Sequence, residues 1–157
     1  MKVDCTIDGK TLTLTLNSNK PLSKILRENI GNDTVNTCTE CCGRCIVLMD
    51  DEPVLSCLVP AFELNGKNIT TFENFQRTRQ MKDIEKAYEA AGVHPCCDCY
   101  PSRSLLIESL VNEGVEDRDV LKRELSIVKC SCMDVDDQIS VVHKAIEMRR
   151  NRRVRRS

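Results

Sequence analysis

Apolar and polar positions alternate through the first sixteen residues, and this period of two predicts a pair of strands. Val3, Cys5 and Ile7 fall on one face of Lys2 to Ile7, while Leu12, Leu14 and Leu16 stand opposite the threonines of Thr11 to Leu16. Asp8-Gly9 between them suits a tight hairpin turn, because both residues tolerate the left-handed backbone such a turn needs. Leu22, Ile25 and Leu26 then recur at helical spacing, which predicts a helix from about Leu22 to Asn29, closed by Gly31. A cysteine-dense loop, Cys38 to Cys45, runs into a short apolar strand, Ile46 to Met49. Asp50-Asp51-Glu52 and Pro53 turn the chain into Val54-Leu55, and Asn65-Gly66-Lys67 turns it again before a last strand, Ile69 to Phe72. Two hairpins and one helix around a small sheet read as a β-grasp module over residues 1–74.

From about Phe75 the period becomes helical. Ile84, Ala87, Tyr88 and Ala91 share one face, and Pro101 takes a favourable first position of a helix that turns Leu105, Leu106, Leu110 and Val111 inward. Val120, Leu121, Leu125 and Val128 predict a third helix, and Ile139, Val142, Ala145 and Ile146 a fourth. The expected class is α+β, an N-terminal β-grasp domain followed by a C-terminal four-helix bundle over residues 75–157, with bundle cysteines only in connections. Each half is small enough for a marginal core, so a clamp of metal ligands would contribute materially to folding.

Charge narrows the function. The 157 residues carry 23 basic and 24 acidic side chains, so no overall field points to nucleic acid or a membrane surface. Arg149, Arg150, Arg152, Arg153, Arg155 and Arg156 crowd the last nine residues, yet no aromatic interleaves with them to stack bases, and they read as a solvated helix end. No stretch approaches the ~18 apolar residues of a membrane span. Met1 to Lys10 carries Asp4 and Asp8 and no apolar core of signal-peptide length, so a cytoplasmic protein is expected, in a compartment where thiols stay reduced. There, eleven cysteines suggest metal or redox chemistry rather than disulfides.

Their spacing supports that. The first half reads Cys38-x3-Cys42-x2-Cys45-x11-Cys57, one residue shorter at its first gap than the plant-type ferredoxin loop. Closely spaced thiolates with Gly43 can wrap a cluster while a fourth thiolate arrives from a distant segment. Cys41 is the alternative to Cys42 in that register; Cys42-Gly43-Arg44-Cys45 is preferred because its glycine lets backbone approach closely. In the second half Cys96-x2-Cys99 is followed, thirty-one positions on, by Cys130-x-Cys132, and the two pairs can also supply four thiolates. Structural zinc suits four thiolates as well.

Cys42-Gly43-Arg44-Cys45-Ile46-Val47-Leu48 and Ser56-Cys57-Leu58-Val59-Pro60-Ala61 resemble the first cluster motif of the small iron–sulfur subunits of molybdenum hydroxylases, the family of xanthine dehydrogenase, aldehyde oxidoreductase and carbon monoxide dehydrogenase. Asn68 to Glu73 resembles the strand that closes that family's ferredoxin domain. Cys96-Cys97-Asp98-Cys99-Tyr100-Pro101 resembles its Cys-Gly-x-Cys-x-Pro turn, and Cys130-Ser131-Cys132 its Cys-Arg-Cys turn. The resemblance implies a plant-type ferredoxin-like domain and a helical domain holding two [2Fe–2S] clusters, one on Cys38, Cys42, Cys45 and Cys57 and one on Cys96, Cys99, Cys130 and Cys132. It implies electron relay between a molybdopterin-binding large subunit and a flavin (FAD) subunit or ferredoxin acceptor, with molybdopterin and FAD held on those partners and no catalytic residue here. The departures are Pro95 for a glutamine, Cys97 and Ser102 for glycines, and Met133-Asp134 for Thr-Gly, all where relatives meet the pterin. The alternative reading is a non-catalytic binding or assembly module stabilised by zinc or a single cluster. Cys5 reads as core, Cys97 as a neighbour of ligands, and His94, beside the rigid Pro95, as a surface histidine.

Overall fold

The computed structural model describes residues 1–17, 19–31 and 43–156. Five strands form one mixed sheet: β1 (Lys2–Ile7), β2 (Lys10–Thr15), β3 (Ile46–Met49), β4 (Glu52–Leu55) and β5 (Asn68–Thr70), in the order β2-β1-β5-β3-β4. Only the β1–β5 pairing is parallel. The expected hairpin forms with Val3 opposite Leu14 and Cys5 opposite Leu12, turning through Asp8 and Gly9 at φ 51° and 80°. A second left-handed pair, Asp50 and Asp51, joins β3 to β4. There the Asp50 carboxylate accepts from the Asn68 N–H at 2.9 Å and from Lys67 Nζ at 2.8 Å.

Helix α1 (Leu22–Ile30) ends at a left-handed Gly31 and lays Leu22, Ile25 and Leu26 on one sheet face. Val3, Cys5, Ile7, Val47, Leu64 and Ile69 fill the core there, so Cys5 is a packing residue. β3 is buried on both sides: Val47 faces this core, while Ile46 and Leu48 join the core of the helical half. That explains an uninterrupted apolar run where a half-solvated strand would alternate.

The last strand stops short of the expected Ile69–Phe72 span. β5 ends at Thr70, and Phe72 opens a one-turn helix, α2 (Phe72–Phe75), that crosses the expected 74/75 division. The cause is Asp8, whose carboxylate accepts from the Thr71 N–H at 2.8 Å and the Thr71 hydroxyl at 2.7 Å, fixing Thr71 where the strand would run on.

The four expected helices follow as α3 (Arg79–Ala91), α4 (Tyr100–Glu113), α5 (Arg118–Leu125) and α6 (Val135–Arg156). Thr78 and Asp117 cap α3 and α5, accepting from the N–H groups of Met81 and Val120. Val128 is buried but lies beyond α5, in the connection to α6. Helix α4 runs through the middle, with every residue from Ser102 to Val111 buried. Of its polar members, Arg103, Ser104 and Glu108 are paired within the core; the Tyr88 and Ser104 hydroxyls, for example, lie 3.2 Å apart. Burial raises the Tyr88 phenol strongly, against the smaller opposing effect of that bond.

The arginine-rich end is only partly the solvated helix end expected. Arg149 and Arg152 on α6 reach back to Asp83 on α3 and Glu108 on α4, which are 2% and 4% exposed and so require paired cations. Arg153, Arg155 and Arg156 stay exposed.

Candidate metal centre

Two connections bring four thiols together. The turn before α4 carries Cys96 and Cys99, with the Cys99 N–H and Tyr100 N–H both donating to the Cys96 carbonyl, at 3.2 and 2.9 Å. Cys99 is the N-cap of α4, so the positive end of that helix points at the sulfurs and favours their anionic form. Cys130 and Cys132 stand in the connection between α5 and α6. The four Sγ atoms lie within 4.8 Å of one another. Cys96 Sγ is 3.4 Å from Cys99 Sγ and 3.7 Å from Cys130 Sγ, and Cys99 Sγ is 3.2 Å from Cys132 Sγ.

The surroundings are uneven. Cys99 is fully buried, whereas Cys132 is exposed on a cleft of about 360 Å³ lined by His94, Ser131, Met133, Asp134 and Asp137 among others. Burial, and then its bond with the Cys132 sulfur, pushes the Cys99 thiol far up. Burial also acts to raise Cys132, but the Cys96 N–H and the thiols of Cys99, Cys130 and Cys96 outweigh it and hold Cys132 down at about 6. The first thiolate therefore forms on the open side.

Arg103 was not anticipated from the sequence. One turn after Cys99, it is 1% exposed, and its guanidinium donates from Nε to Cys99 Sγ at 3.2 Å and from Nη2 to the Cys130 carbonyl at 2.8 Å. Its position offered a signal: counting back in threes and fours from Leu110 through Leu106 and Ile107 reaches 103, so a cation occupies the buried stripe of α4.

An all-sulfur set of four suits tetrahedral zinc or an iron–sulfur unit and excludes the hard oxygen-seeking cations. The buried guanidinium beside it adds that the set is compatible with net negative charge, as four thiolates on a metal would carry. Cys97 points elsewhere, its sulfur 4.0 Å from Asp98 Oδ1 on the surface. His94 is exposed and stacks on Tyr100 with ring centres 5.1 Å apart, its Nδ1 2.8 Å from the Pro95 carbonyl. Tyr100 is itself pushed up to about 12 by burial and by the neighbouring Glu85 carboxylate.

Of the first constellation, Cys38, Cys41 and Cys42 lie outside the described residues. Cys45 is buried at the start of β3 and Cys57 is half-buried after β4. Ser56 ties their segments, donating from both its N–H and its hydroxyl to the Cys45 carbonyl, at 3.1 and 2.7 Å. None of the eight described cysteines is in a disulfide. Gly43, at φ 79°, sits against the α5–α6 connection: a Cβ there would lie 2.4 Å from the Ile127 carbonyl oxygen and 2.7 Å from Val128 Cα.

No protein-family model matches the chain. It is 33% identical over 100 residues to the xanthine dehydrogenase iron-sulfur-binding subunit of Escherichia coli, an alignment covering 63% of each chain and so just under two thirds of that relative's length. It is 25% identical over 119 residues to the nicotinate dehydrogenase small FeS subunit of Eubacterium barkeri, covering 74% of this chain and 76% of that one. Its fold is that of quinoline 2-oxidoreductase from Pseudomonas putida, with a TM-score of 0.76, 24% identity and 96% of both chains covered. Aldehyde oxidoreductase from Desulfovibrio gigas shares the fold at a TM-score of 0.77 and 21% identity, over 97% of this chain but 17% of that larger one. These findings bear out the resemblance to the small iron–sulfur subunits of molybdenum hydroxylases.

Proposed function

We propose that this chain is the electron-transfer subunit of a molybdenum-hydroxylase-type oxidoreductase, converting no substrate itself and holding two [2Fe–2S] clusters. The observation that carries the reading is the convergence of Cys96, Cys99, Cys130 and Cys132 in a chain similar to subunits named for their iron–sulfur content. In this reading residues 1–74 are the plant-type ferredoxin-like domain, with Cys38, Cys42, Cys45 and Cys57 as ligands, and residues 75–157 are the helical cluster domain. A bound cluster supplies storage of one electron at a time. The chain's own part is to offer the thiolates, to bury the Cys99 side and to leave the Cys132 side open, so that a partner surface can come within electron-transfer distance. The partners are a molybdopterin-binding large subunit and a flavin subunit or ferredoxin acceptor, in the cytoplasm.

Iron and acid-labile sulfide analysis of anaerobically purified protein, with electron paramagnetic resonance after dithionite reduction, tests this. About four irons and four sulfides per chain are expected. Zinc without sulfide would sink the reading.

One observation favours that zinc alternative. Metal–sulfur bonds of ~2.3 Å about a single ion set tetrahedral edges of about 3.8 Å. Three of the separations are 3.2, 3.4 and 3.7 Å and all lie within 4.8 Å, so a two-iron unit requires the sulfurs to spread.

A further inference from the structure

A buried cation needs a buried anion, and Arg103 has no carboxylate. Its side chain is 1% exposed, and among the described residues it forms no ion pair with Asp or Glu. Its partners are a sulfur, a carbonyl and an amide: Cys99 Sγ at 3.2 Å, the Cys130 carbonyl at 2.8 Å and Gln138 Oε1 at 2.5 Å. Gln138 is 5% exposed and donates its own N–H to the Met133 carbonyl at 3.1 Å, so the guanidinium is held on every edge by a fixed group. Desolvating a full charge against neutral partners alone is expensive, so the arrangement is stable when the sulfurs carry the balancing negative charge.

We propose that Arg103 is a positioning residue that raises the reduction potential of the helical metal centre, by donating to the Cys99 sulfur and by placing a permanent buried positive charge between its two cysteine pairs. The inference rests on the iron–sulfur reading above. The step concerned is addition of one electron to one iron, Fe(III) to Fe(II), with no bond made or broken. Four thiolates and two sulfides on two Fe(III) ions already leave the unit anionic, and the electron adds one more negative charge. A fixed cation therefore stabilises the reduced form more than the oxidised one, and a hydrogen bond that withdraws charge from a ligand sulfur acts in the same direction. Gln138 adds to this indirectly, by fixing the guanidinium plane.

The test is a dithionite titration of the loaded full-length protein, followed by electron paramagnetic resonance, with the other cluster as internal reference. Arg103→Met preserves length and apolar bulk while removing charge and donors. It is expected to lower the potential of the helical centre at least tenfold in the one-electron equilibrium constant, 59 mV, and to leave the other signal unmoved. Arg103→Lys keeps the charge but not the planar fork, and should fall between the methionine variant and wild type. Loaded Arg103→Met protein with an unchanged potential overturns the inference, whatever its thermal stability, because a purely structural role predicts that result. Where the methionine variant does not load, Arg103→Lys and Gln138→Leu decide: lowered potentials support the proposal and unchanged ones overturn it. Wild-type protein without iron and acid-labile sulfide overturns the iron–sulfur reading itself, and this inference with it. A loaded wild type beside unmoved variants overturns this inference only.

Discussion

Gly43→Ala measures how the first cysteine motif is coupled to the second. Gly43 carries φ 79°, a backbone conformation that costs an L-residue about 1–2 kcal/mol. Gly66, at φ 73°, would incur the same cost, but nothing lies within 4 Å of its notional Cβ. At Gly43 that Cβ would stand 2.4 Å from the Ile127 oxygen, 2.7 Å from Val128 Cα and 2.9 Å from the Ile127 carbonyl carbon. All three are backbone atoms, so no rotamer change relieves the overlap, and one of the two segments must move. Forcing a methyl group into a packed contact adds about 1–3 kcal/mol. The total is about 2–5 kcal/mol, or roughly 4–20 °C in melting temperature for a chain of this size. Gly66→Ala should cost only about 1–2 kcal/mol.

The assay is thermal or urea unfolding of both variants beside wild type, with the helical centre's resonance signal recorded on each. The segment Gly43 would push against, Ile127–Val128, ends two residues before Cys130, so Gly43→Ala should also broaden or diminish that signal, while Gly66→Ala leaves it unchanged. Two glycine variants of equal stability and equal spectra would refute the reasoning, since they would mean the contact yields without cost.

Asp83→Ala strips a buried carboxylate from Arg149 and Arg152 and should cost about 3–5 kcal/mol in urea unfolding, against at most about 0.5 for Arg153→Ala on the solvated side. Cys132→Ser should abolish the helical-centre signal, whereas Cys97→Ser, whose sulfur points to the surface, should leave iron content and spectrum intact. The Lys67 hydrogen bond, then the Asn68 N–H, holds Asp50 below its ordinary range. Its contribution is therefore present above the unfolded carboxylate value of ~3.9 and lost as pH falls through the lower folded one. Asp50→Asn should flatten the acid limb of a stability–pH curve, and an unchanged limb would show that the exposed pair does nothing.

What could be read from the sequence was local. The first hairpin, α1 and the helices of the second half follow from periodicity over a few residues, and Asp8-Gly9 names its own turn. The Cys96-x2-Cys99 and Cys130-x-Cys132 pairs were legible because ligand spacing is also local, although their meeting in space is not. The misjudged features depend on distant partners. β5 stops at Thr70 because Asp8, sixty-three residues away, captures Thr71. The arginine-rich end looked uniformly solvated because Asp83 and Glu108, which bury two of its members, lie on other helices. Gly43 reads in the sequence as a place for backbone to approach a cluster; what the structure shows it making room for is the backbone of Ile127 and Val128. Arg103 stood on the apolar stripe of α4, but its purpose shows only once Cys130 and Gln138 are seen around it.

These long-range pairings divide the helical half into two ends held by different chemistry. At one end, Asp83 of α3, Glu108 of α4 and Arg149 and Arg152 of α6 close the helices with ion pairs that need no metal. At the other, the turn before α4 and the connection before α6 meet through four sulfurs and one arginine. Between them lies a continuous apolar core from Phe75 to Ile146. On the proposed reading a bound metal would therefore hold the cysteine end alone, since the ion-paired end and the core close without it. The connection that carries Cys130 and Cys132 is also the one Gly43 touches. The sheet half meets the helical half both there, through the backbone of Gly43, and along the core, where Ile46 and Leu48 of β3 pack among the helices.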